Sequence, residues 1–255
     1  MMDLTNGLKT ETNILHHVVF GDFDSRDFKL YLASRSAPTP KEQQVTVSVP
    51  YRQGVIDLSH LRGERVYDNR EVSYTFYRFG VSKNAEAGMV QITLQNLLMG
   101  EVDQTLYDSY EPMYHFKGKC TEVSVEDDFE YGRLAIEITF ELYPFKIANV
   151  PESWDLFDSF NFSLDVMQKS LWTQRVTAGT TLQVINSGKN SCDMLVTVSR
   201  DMEVWVSKDR SFGYPDPLLK LKRGGVNRVR LFPGVNYIWW SETGNVALDL
   251  YKELV

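Results

Sequence analysis

The chain has 255 residues, 43% of them hydrophobic and 24% charged, with a net charge of -7. That acidic balance disfavours a general nucleic-acid binder, which needs a basic footprint for phosphates. Two cysteines are too few for a disulfide scaffold and lack metal-site spacing, so they are expected as core thiols of a protein made in a reducing compartment.

The first residues, MMDLTNGLKTET, lack a charged start followed by an apolar run and so do not read as a secretion signal. No window approaches eighteen consecutive apolar residues, and a soluble product is expected. Ile14 to Phe23 reads as a first strand with a bend at Gly21, and Phe28 to Leu32 as a second. Pro38 and Pro40 then force an extended path. Val45, Val47 and Val49 alternate with Thr46 and Ser48, which is strand spacing that ends at Pro50. Together these pieces predict a hairpin or long arm projecting from a sheet.

Arg70 to Phe79 repeats the alternation, with Val72, Tyr74 and Phe76 on one face. Asn84 to Gly100 is the one good helix candidate. Asn84 can cap its first turn, Gly100 sits where a terminating glycine belongs, and Val90, Leu94, Leu97 and Leu98 form an apolar stripe. Strands near Met113 to Val125 lead into Leu134 to Lys146, where Leu134, Ile136, Ile138, Phe140 and Leu142 fall on every second residue. Pro144 cannot donate to a ladder, so pairing should stop there.

From Asn149 the character changes. Phe157, Phe160 and Phe162 anchor a connecting segment, and six or more short strands follow at the turn spacing of a β-sandwich. The turns fall at Asn186-Ser187-Gly188 and Pro233-Gly234, and Trp239 and Trp240 must face opposite ways. The fold expected is mainly β: residues 1–148 as a sheet or sandwich domain with one α-helix and a projecting hairpin, and residues 149–255 as a second β-sandwich.

Charge is segregated along the chain. Residues 101–130 carry nine acids against Lys117 and Lys119, and residues 208–230 carry seven Lys or Arg against Asp209 and Asp216. This pattern fits two solvated faces of opposite sign, or complementary contacts between copies.

The residues show no catalytic constellation. His16 and His17 are adjacent and point to opposite faces of a strand, while His60 and His115 stand alone, so no metal ligand set converges. There is no G-x-S-x-G and no glycine-rich phosphate loop. Glu137 and Glu141 share a strand face about 13 Å apart, beyond either glycosidase spacing. No catalytic residue, cofactor or metal is expected. Trp172, Trp205, Trp239 and Trp240 could offer flat faces to sugar rings or pack in a core.

Several stretches in order resemble the distal tail protein (Dit) family of long non-contractile-tailed bacteriophages. They are the arm YLASRSAPTPK, the strand DNREVSYTFYRFG, the helix ending at Gly100, YHFKGKCTEVSVE, and the closing LAIEITFELYPFK. In the C-terminal half they are INSGKNSCDMLVTV and LFPGVNYIWWSETGNVALDL. The resemblance implies a ring-forming belt domain whose hairpin packs on a neighbouring copy, closing a homohexamer around a channel. It also implies a galectin-like or carbohydrate-binding-module-like second domain. Such a ring is a virion structural hub at the tail tip, made in the host cytoplasm. It would join the tail tube protein to the tail-associated tip protein and to the baseplate and receptor-binding proteins. No membrane is involved, and DNA would meet the ring only by passing through the channel. The subunit contact is expected at Tyr31, Arg35, Pro38, Pro40, Val45, Val47 and Val49, and partner docking at Trp205, Phe212 and Tyr214. No histidine follows His115, which departs from galectin sugar sites and favours protein docking. The alternatives are a carbohydrate-binding module for host cell-wall polysaccharide and, behind it, a polysaccharide hydrolase.

Overall fold

The computed structural model describes residues 15–59, 64–80, 84–152, 168, 171, 173–211 and 218–255, the side chains at 84, 85 and 129 excepted. It divides into a first unit within residues 1–59 and 66–146 and a second within 60–65 and 147–254. The expected aromatic connecting segment at Phe157, Phe160 and Phe162, the docking residues Phe212 and Tyr214, and Trp172 lie outside the described residues.

The strands of the first unit are β1 (Val18–Phe20), β2 (Phe23–Asp24), β3 (Tyr31–Ser36), β4 (Thr46–Ser48), β5 (Val55–Asp57), β6 (Arg70–Phe79), β7 (Gln104–Asp108), β8 (Tyr114–Asp128) and β9 (Arg133–Leu142). Its helix is α1 (Asn84–Leu98). Seven of these strands pair antiparallel in the order β2-β1-β7-β8-β9-β6-β3, the main path of a nine-stranded sheet. The alternation in β9 explains its central place. Ile136, Ile138 and Phe140 pair with Phe76, Tyr74 and Val72 on one side and with Val125, Val123 and Cys120 on the other. These rows form the core face, and α1 adds Ala87, Val90, Leu94 and Leu98 to the same cluster. Each large aliphatic buried there contributes about 1.5–3 kcal/mol. On β8 the register shifts between Cys120 and Glu122, a bulge that keeps Cys120 and Val123 on one face. Gly118 is required by close approach, since a Cβ there would sit 2.2 Å from the Glu141 carbonyl oxygen.

Local expectations need three adjustments. The strand expected over Phe28 to Leu32 begins at Tyr31, because Lys29 turns at φ 54° and Leu30 N–H closes on the Ser25 carbonyl at 2.9 Å. The helix ends at Leu98, and Gly100 does not enter the left-handed region, so it is no αL cap. β9 ends at Leu142, two residues before Pro144.

β10 (Lys146–Ala148) leads into the second unit, whose strands are β11 (Gln174–Val176), β12 (Thr181–Asn186), β13 (Cys192–Val198), β14 (Met202–Ser207), β15 (Leu219–Leu221), β16 (Asn227–Leu231), β17 (Gly234–Trp240), β18 (Gly244–Asp249) and β19 (Glu253–Leu254). β19 pairs with β10, and β11 to β18 make two four-stranded sheets, β11-β18-β13-β16 and β12-β17-β14-β15. Inward residues such as Met194, Val196, Val204, Ile238, Trp240 and Leu248 fill one core between them.

Buried asparagines hold the turns. Asn236, fully buried, accepts from Phe232 N–H at 2.8 Å and donates to the Phe232 and Gly234 carbonyls at 2.7 and 3.0 Å, which fixes the L-F-P-G-V-N turn. Asn186 does the same for its own turn, accepting from Gly188 N–H and donating to the Asn190 carbonyl. The edge of β12 is plugged by a side chain. Gln168 accepts from Ile185 N–H and donates to the Ile185 carbonyl, both at 2.6 Å, and also donates to Glu152 at 2.9 Å. An amide thereby occupies the place of a neighbouring strand.

Candidate functional site

Two surfaces carry the residues singled out from the sequence. The first is the β4–β5 hairpin, a two-stranded sheet separate from the nine-stranded one. Its register pairs Thr46 with Asp57, Val47 with Ile56, and Ser48 with Val55. Alternation therefore puts Val45, Val47, Val49, Ile56 and Leu58 on one face, and Thr46, Ser48, Val55 and Asp57 on the other. The valine half of this apolar face lies open, Val45 being 55% and Val47 42% exposed, while Ile56 and Leu58 are half-buried. A lone hairpin is marginal in water, and an uncharged strand face is the pattern of one that is to be covered. The turn at its tip holds Tyr51 at φ 66° and Gly54 at φ 80°, with Arg52 exposed between them.

The other arm residues divide. Tyr31 and Pro38 are exposed, and the Tyr31 ring meets Phe79 with centroids 5.5 Å apart. Pro40 is buried. Arg35 lies across from Tyr74, on the core side of β3, and its guanidinium reaches Asp108 at 2.5 Å and Glu111 at 2.8 Å. Asp108 also accepts from Tyr74 Oη at 2.9 Å, and Lys146 meets Glu111 at 2.8 Å. The ions shape one another. Burial is the largest influence on Arg35 and works against its charge, yet the charge and hydrogen bonds of Asp108, with that of Glu111, raise its pKa on balance. Burial followed by the Asp108 charge pushes the Tyr74 hydroxyl up. Burial raises Glu111, but Lys146 and Arg35 outweigh it and hold the carboxylate below its ordinary value. Arg35 is thus engaged inside its own unit.

The second surface is the outer face of the β12-β17-β14-β15 sheet. Trp205 pairs across strands with Trp239, their ring centroids 5.0 Å apart and the planes tilted by 48°. Ser207 faces Tyr237 in the next row, and the Arg210 guanidinium lies over the Tyr237 ring at 4.6 Å. Arg210 sits at φ 65°, outside the usual range for a residue with a side chain. It is held by Asp209, which accepts from Ser211 N–H at 3.0 Å, from Ser211 Oγ, and from Ser207 Oγ at 2.8 Å. Those bonds, the Ser211 ones foremost, bring Asp209 down to about 2. Trp240 points the other way and is fully buried.

The sequence singled out Val45, Val47, Val49 and Trp205, and the structure sets beside them residues that it did not single out for these surfaces. Ile56 and Leu58 alternate just past Gly54, which was the available signal for the second hairpin strand. Trp239 was noted only as a sugar-binding or core residue, and Arg210 only as part of a basic stretch. Among the described residues, no group of three or more His, Cys, Asp or Glu could hold a metal ion, and no helix is long and apolar enough to cross a membrane.

Exposed valines and a half-exposed tryptophan pair thus lie on a mainly β chain of two units. The fold itself is Dit-like: the crystal structure of SPP1 Dit (gp 19.1) superposes with a TM-score of 0.64 at 12% identity, covering 94% of this chain and 99% of that one. That protein is described as a paradigm of the hub adsorption apparatus in phages infecting Gram-positive bacteria. The phage P2 baseplate in its activated, calcium-bound conformation matches at a TM-score of 0.38 and 10% identity over 92% of this chain and 98% of that one. No family model and no curated protein matches the sequence.

Proposed function

We propose that this chain is a structural hub of a phage tail tip, in which residues 1–148 close a homohexameric ring and residues 149–255 dock partners. The observation that carries the reading is the β4–β5 hairpin, on whose apolar face Val45, Val47 and Val49 stay exposed beside the half-buried Ile56 and Leu58. The Dit-like fold over nearly the whole chain supports it. Ring closure follows from a heterologous contact, in which one patch of each copy meets a different patch of the next. The ring joins the tail tube to the tail-associated tip protein and to baseplate and receptor-binding proteins, with Trp205 in the docking face. Its work is geometric, and no reaction is assigned to it.

Light scattering on the purified chain tests this. A mass near six copies, with rings by negative-stain microscopy, is the expected result. A single subunit at every concentration overturns it.

The Trp205–Trp239 pair favours a second reading, a sugar-binding face for host cell-wall polysaccharide. Calorimetric titration with purified wall polysaccharide separates the two, since heat that disappears in Trp205→Ala would belong to the second.

A further inference from the structure

The ring reading leaves open where the hairpin lands, and the outer face of the first unit's sheet narrows that choice. On β6, β8 and β9 the face opposite the core carries Glu71, Ser73, Thr75, Glu122, Ser124, Glu137 and Thr139, in rows that an uncharged apolar hairpin would desolvate at a cost. One corner is different. Tyr31 pairs across strands with Tyr77, and Phe79 follows on the same face of β6. Tyr31 and Phe79 rings meet at 5.5 Å, and the Arg133 guanidinium lies 3.7 Å from the Tyr77 centroid and 4.8 Å from that of Tyr131. Phe79 is 54% and Tyr131 65% exposed. Tyrosine and arginine already packed together, yet open, are the composition of an interface hot spot.

The corner also lies at an open edge. β3 is the last strand of the sheet, six residues long, and among the described residues no strand pairs with its outer side. The opposite edge, β2, has only two residues. With no strand beyond β3 among the described residues, nothing on that side of the sheet covers the corner.

We propose that the apolar face of the β4–β5 hairpin of one copy seats on the Tyr31–Tyr77–Phe79–Tyr131 corner of the next, along its β3 edge. This rests on the ring reading and names the receiving surface. Two observations select a second copy as the occupant. Both surfaces belong to the same chain, and Val45, Val47 and Val49 on the one and Tyr31, Phe79 and Tyr131 on the other stay exposed within one copy. Charge agrees: Arg52 at the hairpin tip meets no carboxylate among the described residues of its own copy. Glu126, beside Ala135 in the row that runs through Tyr77 and Tyr31, likewise meets no cation there.

A charge swap tests the seating. Arg52→Glu should weaken association at least about tenfold by sedimentation, and Arg52→Glu with Glu126→Arg should restore it. A second test uses Val47→Cys and Tyr131→Cys in one chain with a short bismaleimide, which should give a ladder of linked copies. Native Cys120 and Cys192 add little background, because burial, first among the influences on each, pushes their thiols up to about 11 and about 12. Rings that form without the ladder or the rescue overturn the seating and leave the ring reading intact. A ladder obtained instead with Met89→Cys, on the exposed side of α1, overturns it in favour of the helix. A wild-type chain that never associates overturns both.

Discussion

Arg35 and Asp108 stand 73 residues apart in sequence and meet at 2.5 Å inside the first unit, the carboxylate side chain only 1% exposed. A buried pair of this kind adds little net stability over an apolar pair, but breaking it strands a charge. Asp108→Asn should therefore cost roughly 3–5 kcal/mol in denaturant unfolding. Arg35→Met with Asp108→Leu should recover most of that loss, though Tyr74 and Glu111 each lose a partner. A single-site loss below 1 kcal/mol would show that water reaches the pair.

Glu111 makes the same network pH-dependent. Its folded-state pKa is lowered, so its contribution is present above the ordinary glutamate value of about 4.3 and is lost as pH falls through the lower folded value. Urea midpoints should thus fall between pH 5 and pH 3, both approximate bounds around that value. Glu111→Gln should flatten this part of the curve while lowering the plateau at neutral pH. A variant with the wild-type slope would move the acid sensitivity to other carboxylates.

How much of this was legible in the sequence depends on where each residue's partners lie. β9 announced itself because a central strand covered on one face must alternate, and Ile136, Ile138 and Phe140 do. Trp239 and Trp240 parted as adjacent strand residues must. The bulge at Cys120 and Glu122 left no signal, since no Gly or Pro marks it. Arg35 read as a subunit-contact residue of the arm because Asp108 and Glu111, which hold it inside its own unit, are remote in sequence. Half of the hairpin face was visible in the three valines. The other half was hidden by a partner strand of three residues behind an irregular turn.

Val47→Asp and Ile56→Asp separate assembly from folding. Neither side chain belongs to the core of either unit, so each change should shift the unfolding free energy of the dissociated chain by no more than about 0.5 kcal/mol. Association should fall by far more, because a carboxylate would be forced into an apolar contact. Light scattering beside thermal unfolding reads both. Loss of the folded state would instead make the hairpin part of the fold of its own copy.

The tryptophans of β14 and β17 divide by face, and their substitutions should divide likewise. Trp240 is fully buried in the second core, so Trp240→Ala should cost about 3–5 kcal/mol through lost contacts and a cavity. Trp205 is half-exposed and meets Trp239 across strands. Trp205→Ala therefore forfeits one aromatic pair, about 0.5–1.5 kcal/mol, along with part of its own burial. The second unit should stay folded in Trp205→Ala, with far-ultraviolet circular dichroism changed only in the exciton signal of the pair. That makes the variant a usable probe of docking: a partner bound at this face should lose affinity while the fold persists. If Trp205→Ala unfolds the second unit as readily as Trp240→Ala, the outer aromatic row is structural and the docking face must lie elsewhere on the sandwich.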